Sequence, residues 1–337
     1  IVDLFETNNR FRHTQLYCDS RRPCITLPGP NGIRRYEFKL RDDECEEDTC
    51  DDSFVRTLLQ KTGFDLNSKI RRKAIYKFHA LVANRWRGGS IFLAGDAAHI
   101  SPPFAGQGMN SGLRDAHNLS WKLAYAINYK NSKILESYEQ ERKSHVRDII
   151  HISLLMGKIL APRTRLLGFM TRLLFFLVSI YKPARIYLLD MRFKPKPYFE
   201  QGLLWKNNKK SKNGLVGRLF PQPEVEDTCR NRFLLDDLFY NKLVVLIYSE
   251  SPQRVLDNGL ARMFLDRGLA VVGLTPEWIN PGKVEIPIVR EVSNIFSSPK
   301  YQLYMDYAFL IRPDRYVAAM VPATSVHTFF DIADRLQ

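Results

Sequence analysis

The stretch GDAAHISPPFAGQGMNSGLRDAHNLSWKLA, residues 95–124, constrains the fold of this chain more than any other segment. The apolar run 91–94 precedes it and predicts a short strand buried on both faces. Pro102 and Pro103 then hold the loop in an extended form and remove two N–H donors. Small and apolar residues follow at helical spacing: Leu113, Ala116, Ser120, Leu123, Ala124 and Ile127. The segment therefore predicts a strand, a rigid loop and a helix in succession.

The same stretch carries the chemistry of a binding site. A strand that ends in Gly95-Asp96 places one carboxylate at the edge of a sheet, where ligands of α/β folds bind. Such a carboxylate suits the hydroxyls of a sugar alcohol. The helix entry at 106–110 (GQGMN) presents free N–H groups and the positive end of the helix dipole, which stabilise negative charge on a ring or an oxygen. The alternative interpretation is a strand, loop and helix with capping glycines and no ligand.

Composition and charge restrict the class of protein further. The 337 residues are enough for two or more domains, and the 45% hydrophobic content is typical of a globular chain. The net charge of +14 favours anionic ligands such as carboxylates and phosphates. The basic residues are mostly dispersed, and the one dense run, 206–212, predicts a solvated linker. No helix-turn-helix, zinc-finger or aromatic RNP pattern accompanies the charge, so a nucleic-acid partner is not expected.

The cysteines and the most apolar segment both favour a cytoplasmic protein with no transmembrane segment. The five cysteines are odd in number and irregularly spaced, which predicts reduced structural thiols: Cys18, Cys24, Cys45, Cys50 and Cys229. The apolar segment 166–181 is short and contains Arg172, so it predicts a buried or amphipathic helix, with a peripheral membrane role as a minor alternative. The opening residues IVDLFETNN contain neither a Met nor a signal-peptide pattern.

The remaining elements before residue 205 follow from turn and cap signals. CITL, the turn PGPNG and IRRYEFKL predict a hairpin over 24–40, with Tyr36, Phe38 and Leu40 on its apolar face. Ser53 is expected to cap a helix whose stripe is Phe54, Val55, Leu58 and Leu59. A strand is predicted through Leu81 and Val82. The helical region that ends near 205 is predicted to break at Pro162 and Pro183.

The last region predicts a small α/β domain. Strands are expected at 242–249 and 269–275 with a hairpin over 307–321, around a helical pattern at 253–267. This is the order of a thioredoxin-like fold. The redox position after the first strand reads SESPQ and holds no cysteine, so disulfide exchange is excluded. Packing and assembly are the expected roles of this domain.

The central motif resembles the second flavin-binding motif of the class A FAD-dependent aromatic hydroxylases. The matching residues are Gly95-Asp96-Ala97-Ala98-His99, Pro102-Pro103, Gly106-Gln107-Gly108-Met109-Asn110, Asp115, Asn118 and Leu119. Four further segments resemble the branch of that family that acts on 3-(3-hydroxyphenyl)propionate: LYCDSRRP (16–23), RRYEFKL (34–40), MRFKPKP (191–197) and RPDRYVAA (312–319). Members of this branch also carry a redox-inert thioredoxin-like tail. The resemblance covers nearly the whole chain.

The resemblance implies FAD as cofactor and a role for each part of the motif. Asp96 would accept a hydrogen bond from the ribityl chain, the loop at Pro103 would lie beside the isoalloxazine, and the amides of Gly108–Asn110 would face its N1 and C2 carbonyl. NADH or NADPH would reduce the flavin. O2 would then form a C4a-hydroperoxide that hydroxylates a phenol next to its existing hydroxyl. The implied cofactor-binding residues are Gly95, Asp96, Pro103, Gly106, Gln107, Gly108, Met109 and Asn110.

No protein residue is predicted to be catalytic. His99 is a candidate general base, but a structural role is favoured for it. Tyr36 and Phe38 could line an aromatic pocket, and a place in the sheet core is favoured for both. The cofactor carries the difficult chemistry, while the protein binds it, orients it and excludes water.

The resemblance also implies the fold class, α/β (α+β). It predicts a partial Rossmann-like FAD-binding domain of the p-hydroxybenzoate-hydroxylase type, with a mixed substrate-domain sheet and a C-terminal thioredoxin-like domain. The expected division is substrate domain 1–77, FAD-binding domain 78–145, helical segment 146–205, linker 206–214 and thioredoxin-like domain without Cys-x-x-Cys 215–337.

One departure from the family leaves the function open. The chain contains no G-x-G-x-x-G fingerprint, since Gly106, Gly108 and Gly112 have the wrong spacing and follow Pro-Pro. The family's mid-chain Asp-Gly motif is absent as well. The chain is therefore expected to be the C-terminal part of a longer hydroxylase, with on the order of 200 residues upstream.

Two other functions remain open beside a hydroxylase of small phenols. One is a non-catalytic, degenerate flavoprotein that acts as a binding or assembly module. The other is a related FAD monooxygenase that acts on a polycyclic or polyketide phenol. A small phenolic substrate and O2 are the expected partners, and a homodimer follows only from analogy with the family.

Overall fold

The computed structural model describes residues 1–44, 51–162, 164–205, 214–256, 259–279 and 286–336. The chain forms two compact units. The first unit comprises Ile1–Ala83, Asp96–Met109 and Arg147–Pro195. The second unit comprises Asn84–Gly95, Asn110–Val146 and Lys196–Gln337. The predicted linker, except for residue 214, lies outside the described residues, and the proposed five-part division stays a prediction.

The first unit contains an antiparallel sheet of five strands among its described residues. Its order is β2-β3-β4-β1-β5. The strands are β1 (Val2–Phe5), β2 (Gln15–Tyr17), β3 (Cys24–Pro28), β4 (Arg34–Phe38) and β5 (Lys69–Lys73). Strands β3 and β4 pair antiparallel with Thr26 opposite Tyr36, which confirms the predicted hairpin. Asn31 and Gly32 make its turn with φ of 56° and 74°, a conformation that Asn and Gly adopt most readily.

Helix α1 (Asp52–Gln60) packs on this sheet and confirms the predicted apolar stripe. Val55 and Leu59 form a buried cluster with the fully buried Tyr36. The predicted cap was wrong, because Ser53 already lies inside the helix. Asp51 caps it instead, since its backbone is extended and its carboxylate accepts the Ser53 N–H.

The helical region breaks where the prolines predict. The helices are α2 (Gly108–Asn128), α3 (Ser137–Leu160), α4 (Arg165–Ile180) and α5 (Lys182–Leu189). Pro162 separates α3 from α4, and Pro183 lies in the first turn of α5, where its missing N–H is no loss. Within the described part of the chain, no single helix is long and apolar enough to cross a membrane. Only α4 and α5 taken together pass such a test, with a bend of 110° between them.

Helix α2 forms where it was predicted, but the small and apolar residues at helical spacing do not form its buried face. Leu113 and Ile127 are 61% and 74% exposed. The predicted positions Ala116, Ser120 and Ala124 are also exposed, and Leu123 is half-buried. The buried side is the opposite one and is largely polar: Ser111, Asp115, Asn118, Leu119, Trp121 and Lys122.

The buried side of α2 faces inward because its polar groups find charged partners in the second unit. The Glu141 carboxylate on α3 accepts hydrogen bonds from Lys122 Nζ at 2.7 Å and from Asn118 Nδ2 at 2.8 Å. Arg312 donates to both Glu141 oxygens at 2.7 Å and also pairs with Asp314. We refer to these five residues as the Glu141 network. All of them are nearly fully buried.

The electrostatics of the Glu141 network follow from this pairing. Burial alone would raise the pKa of Glu141, but Arg312 and Lys122 outweigh it and lower that pKa to about 2. Burial lowers the pKa of Lys122 to about 8, although Glu141 opposes the shift. The network is therefore anionic at Glu141 across the physiological pH range.

The apolar run at 91–94 is not the buried strand that was predicted. Only β8 (Ile91–Phe92) is extended, and it pairs with β7 (Arg87–Gly88) in a two-residue hairpin. Ile91 is 72% exposed. A strand is buried on both faces only between covered neighbours, and β8 has one short partner among the described residues. The strand predicted at Leu81–Val82 is confirmed as β6, which pairs with β9 (His99–Ile100).

The second unit contains a mixed sheet of seven strands among its described residues. Its order is β11-β10-β14-β13-β12-β15-β16. The strands are β10 (Glu224–Glu226), β11 (Arg232–Leu234), β12 (Val244–Tyr248), β13 (Ala270–Thr275), β14 (Ile288–Glu291), β15 (Tyr307–Ile311) and β16 (Val317–Pro322). The accompanying helices are α6 (Pro252–Val255), α7 (Leu260–Asp266), α8 (Pro299–Gln302) and α9 (Phe329–Leu336).

The predicted strands of this last region are confirmed. Strand β12 is buried on both faces and lies between parallel β13 and antiparallel β15. The predicted helical pattern at 253–267 is two short helices, α6 and α7. Strands β10, β11 and β14 were not predicted, and the thioredoxin-like assignment stays a prediction.

Candidate flavin site

The backbone of residues 95–110 explains two of the glycines in the motif. Gly95 begins a short 3-10 turn (Gly95–Ala97) with φ of 57°, and Gly106 ends another (Pro103–Ala105) with φ of 61°. Both values lie in the left-handed region, which a Cβ disfavours. Helix α2 then begins at Gly108. The two turns therefore favour glycine at 95 and 106.

Gly95 is held by a buried pair in the second unit. Its N–H donates to Asp115 Oδ2 at 3.1 Å, and Arg142 Nε donates to Asp115 Oδ1 at 2.8 Å. Gly112 lies directly against Gly95, since a Cβ on Gly112 would come within 3.3 Å of the Gly95 Cα. Because Asp96 is bonded to Gly95, this packing fixes one end of the Asp96 backbone.

Sequence reasoning matched Asp115 to the motif but gave it no role, and it missed Gly112 and Arg142. The signal available for the first two was their spacing of three on one helix face. Arg142 carried no such signal, because its contact with Asp115 spans 27 residues.

The predicted ligand-facing groups are accessible. Asp96, Pro103 and Gly106 are exposed, and Met109 is 78% exposed. Gln107, Gly108 and Asn110 are half-buried. The first turn of α2 contains no acidic residue, and a Cβ on Gly106 or Gly108 would meet nothing within 4 Å. There is therefore open space beside the positive end of the helix, where the first N–H groups have no partner within the helix itself.

These residues fit the flavin that the motif implies. The donor set offers one carboxylate for sugar hydroxyls and backbone N–H groups for an electron-rich ring edge. The open space beside the helix entry lets a planar group approach the backbone. The assignment of each residue to FAD nevertheless stays a prediction until it is tested.

The Pro-Pro loop is anchored to α3 within the first unit. Pro102 is buried, and Ser101 Oγ lies 3.1 Å from Ser153 Oγ. The Phe104 ring packs directly on Gly157, where a Cβ would lie 2.8 Å from the ring. A Cβ at position 157 would therefore displace the Phe104 ring. Sequence reasoning did not identify Ser153 or Gly157.

A cavity of about 1450 Å³ lies in the first unit next to this loop. Pro102 and Pro103 belong to its wall. Its aromatic lining residues are Tyr17, Phe38, Tyr76, Phe78 and Phe104, and its basic ones are Lys39, Arg41, Lys73, Lys77 and Lys158. Phe38 thus lines the cavity as well as packing against the core cluster of Tyr36. The wall also contains the carboxylates of Glu37, Asp42 and Glu44, which its five Lys and Arg side chains outnumber. An apolar wall with an excess of cations suits an aromatic acid.

Four titratable groups in the cavity have pKa values raised by burial, Tyr17 among them. Burial raises the pKa of Glu37, although Arg35 opposes the shift. Burial also raises the pKa of Cys18, and raises that of Cys24 to about 12. Both thiols therefore stay protonated at neutral pH and are poor nucleophiles.

His99 is buried in the first unit, at 3% exposure, and faces Val82 in the β6–β9 pair. This placement agrees with the structural role favoured from the sequence. Its function stays a prediction.

Comparison with known families defines the class. Residues 3–153 match the family described as FAD binding domain, and residues 217–335 match the HcaD C-terminal domain. The two matches take in most of the chain. The motif at 95–110 therefore lies within the part of the chain that matches an FAD-binding domain.

Curated relatives narrow this class. The chain is 34% identical over 330 residues to a 3-(3-hydroxy-phenyl)propionate/3-hydroxycinnamic acid hydroxylase of Klebsiella pneumoniae, covering 96% of the chain and 59% of the relative. It is 31% identical over 324 residues to a hydroxylase of the same name from Mycolicibacterium vanbaalenii. This match covers 94% of the chain and 57% of the relative. The chain thus spans somewhat less than three fifths of the length of these relatives.

Solved structures share the fold. The anhydrotetracycline hydroxylase of Streptomyces rimosus superposes with a TM-score of 0.66 at 22% identity, covering 99% of this chain and 62% of the other. A ternary complex of aklavinone-11 hydroxylase with FAD and aklavinone superposes with a TM-score of 0.64 at 19% identity. The match covers 94% of this chain and 57% of the other. The chain is thus similar in sequence to curated hydroxylases and shares its fold with FAD-dependent aromatic hydroxylases.

Proposed function

We propose that the protein acts as an FAD-dependent monooxygenase that hydroxylates a phenolic acid such as 3-(3-hydroxyphenyl)propionate next to its existing hydroxyl. NADH or NADPH is the reductant and O2 the second substrate. The observation that carries the proposal is the cavity beside Pro102–Phe104, whose wall combines aromatic rings with lysine and arginine side chains. The names of the curated relatives support the choice of substrate.

Each part of the motif has a binding task in this proposal. The Asp96 carboxylate accepts hydrogen bonds from the ribityl hydroxyls. The N–H groups at the entry of α2, from Gly108 to Asn110, stabilise negative charge on the pyrimidine edge of the ring. Bound FAD supplies the redox chemistry, namely hydride acceptance and activation of O2.

The cavity has the task of orienting the substrate. Phe38 and Phe104 pack against the phenol ring, and the lysines of the wall attract its carboxylate. Gly157 keeps Phe104 and the adjoining prolines in place. Binding in a largely apolar cavity also removes water from the reacting ring.

The test of the flavin site is FAD retention by the intact enzyme. Asp96→Ala is expected to weaken FAD binding by about 1.5–3 kcal/mol, the range of a hydrogen bond to a charged group. Asp331→Ala, an exposed aspartate on α9, is the matched control and leaves FAD binding unchanged. Equal flavin content in both variants after gel filtration would refute the role of Asp96.

The proposed substrate is tested by whether it stimulates the oxidation of NADH or NADPH by the enzyme. With 3-(3-hydroxyphenyl)propionate we expect faster oxidation and a product that carries one additional oxygen. Absence of stimulation, with FAD bound, counts against this substrate while leaving the flavoprotein assignment intact. A protein that binds no FAD at all supports the non-catalytic alternative.

A second candidate substrate is a polycyclic phenol. The cavity of about 1450 Å³ exceeds the roughly 300–1,000 Å³ of typical small-molecule sites, so it has room for several fused rings. Parallel oxidation assays with a tricyclic or tetracyclic phenol and with the phenylpropanoid distinguish the two. A cytoplasmic location and a homodimer are part of the proposal only by analogy with the family, and sedimentation velocity tests the dimer.

A further inference from the structure

Helix α4 presents an apolar surface that none of the described residues of the first unit covers. Nine of its apolar side chains are between 46% and 68% exposed, Leu167 and Leu174 among them. The other seven lie on one side of the helix: Leu166, Phe169, Met170, Leu173, Phe176, Leu177 and Ile180. They follow the spacing i, i+3, i+4, i+7 and so form one stripe about 120° wide. We call these seven residues the α4 stripe.

The opposite side of α4 is the one fixed to the protein. Gly168 is buried there, and a Cβ on it would lie 3.5 Å from Pro162 and 3.6 Å from Ser20. Thr164 caps the helix by accepting the Leu167 N–H at 3.2 Å. The α4 stripe therefore points away from the first unit.

Basic residues surround the α4 stripe. Arg165 and Arg172 lie along one flank of it, and Lys182 and Arg185 follow on α5; all four are exposed. Between residues 164 and 195 the one acidic residue is Asp190, which pairs with Arg192 at 2.8 Å. The apolar surface thus carries a strong positive rim.

The dimensions of the helix pair exclude a simple membrane span. The 16 residues of α4 extend about 24 Å, less than the roughly 30 Å of the hydrocarbon core. The chain then bends by 110° into α5, and Arg172 stands in the middle of α4. A helix with an apolar stripe, a cationic flank and this length suits the plane of a membrane interface. Exposed Tyr181 and Tyr187 are residue types enriched at that depth.

We propose that α4 and α5 dock on an anionic phospholipid surface. The α4 stripe enters the boundary between headgroups and acyl chains, and Arg165, Arg172, Lys182 and Arg185 contact lipid phosphates and carboxylates. This association is peripheral. It goes beyond the proposed hydroxylase function and does not rest on it.

Charge complementarity selects lipid over a second copy of the chain. Twofold pairing of this surface would place its four cations near the same four cations of the other copy. An anionic membrane instead supplies the opposite charge over the whole surface.

The test is co-sedimentation of the 337-residue chain with phosphatidylcholine vesicles, with and without phosphatidylserine. We expect binding that requires phosphatidylserine and weakens as salt is raised. Phe169→Gln combined with Phe176→Gln is expected to lower the partition coefficient at least tenfold. Arg172→Glu combined with Arg185→Glu is expected to abolish the phosphatidylserine dependence. Leu113→Gln, an exposed apolar residue on α2, is the control and keeps the wild-type binding.

Circular dichroism and thermal melting establish that each variant is folded. Binding that does not depend on phosphatidylserine, or that survives both double variants, overturns the proposal. So does a wild-type dimer that the phenylalanine variants convert to a monomer without any change in vesicle binding, because a second copy would then cover the α4 stripe. FAD binding and hydroxylation enter none of these measurements, so the two proposals fail separately.

Discussion

Helices α2 and α4 both carry an apolar stripe that faces outward, yet they are held to the protein in different ways. The inward side of α2 is polar and joins the Glu141 network through Lys122 and Asn118. The inward side of α4 centres on Gly168 and relies on close backbone approach. Periodicity therefore identifies the residues that share a face, whereas partners elsewhere in the chain decide which face is buried.

The largest expected effect comes from breaking the network that holds α2. Arg312→Met leaves Glu141 buried without its bidentate partner and is expected to lower the free energy of unfolding by about 3–5 kcal/mol. The measurement is urea denaturation followed by circular dichroism. Arg262→Met, at an exposed position on α7, is the control and should stay within about 0.5 kcal/mol of wild type. Equal midpoints for the two variants would contradict the role of the network.

The same network predicts a pH dependence of stability. The pKa of Glu141 is about 2 in the folded protein and 4.5 ordinarily, so its contribution is complete above pH 4.5. That contribution is lost as the pH falls from 4.5 toward 2. Glu141→Gln should be less stable at neutral pH and should show a smaller further loss in this acid window. Parallel denaturation curves at several pH values check this, and an identical acid loss in both proteins would be inconsistent with it.

Two glycines in neighbouring helices sharpen the contrast between close and ordinary packing. Gly157→Ala pushes a Cβ into the Phe104 ring and is expected to cost about 1–3 kcal/mol. Gly168→Ala meets Pro162 and Ser20 at ordinary contact distance, so the better helix propensity of alanine is expected to add about 0.5–1 kcal/mol. Thermal unfolding of both variants shows whether each substitution lowers or raises the stability. Destabilisation of equal size in both would show that α4 packs more tightly than the distances indicate.

The smallest effects on the free energy of unfolding are expected from substitutions in the outward-facing stripes of α2 and α4. Leu113→Gln on α2 and Leu173→Gln on α4 should each change the free energy of unfolding of the 337-residue chain by less than about 0.5 kcal/mol. Urea denaturation of both variants provides the measurement. A loss above 2 kcal/mol in either one would mean that its stripe is covered in solution.

Elements that depend on neighbours in sequence were predictable. Turn residues between β3 and β4 identified the hairpin, Pro162 and Pro183 identified the helix breaks, and apolar runs identified β12 and β13. The cap of α1 was displaced by two residues, because Asp51 and Ser53 offer competing acceptors. Residues that are close in sequence thus determine these elements, and the errors of the predictions are confined to the ends of the elements.

Features that depend on distant partners were not predictable. The buried face of α2 is decided by Glu141 and Arg312, which lie 171 residues apart. In the candidate site, the need for glycine at 95 and 106 was readable from the motif. The supports of the site, Arg142 and Gly157, were not, because their contacts with Asp115 and Phe104 cross 27 and 53 residues.

The Glu141 network also has a consequence for the order of biosynthesis. Ribosomes release helices α2 and α3 long before β15 and the turn that carries Arg312 and Asp314. Until those residues emerge, Glu141 lacks the guanidinium that neutralises it, and the two helices cannot bury their polar sides fully. Completion of the C-terminal sheet is therefore the step that commits α2 to its final packing. A nascent chain stalled before residue 312 should remain sensitive to protease in α2 and bound by chaperones.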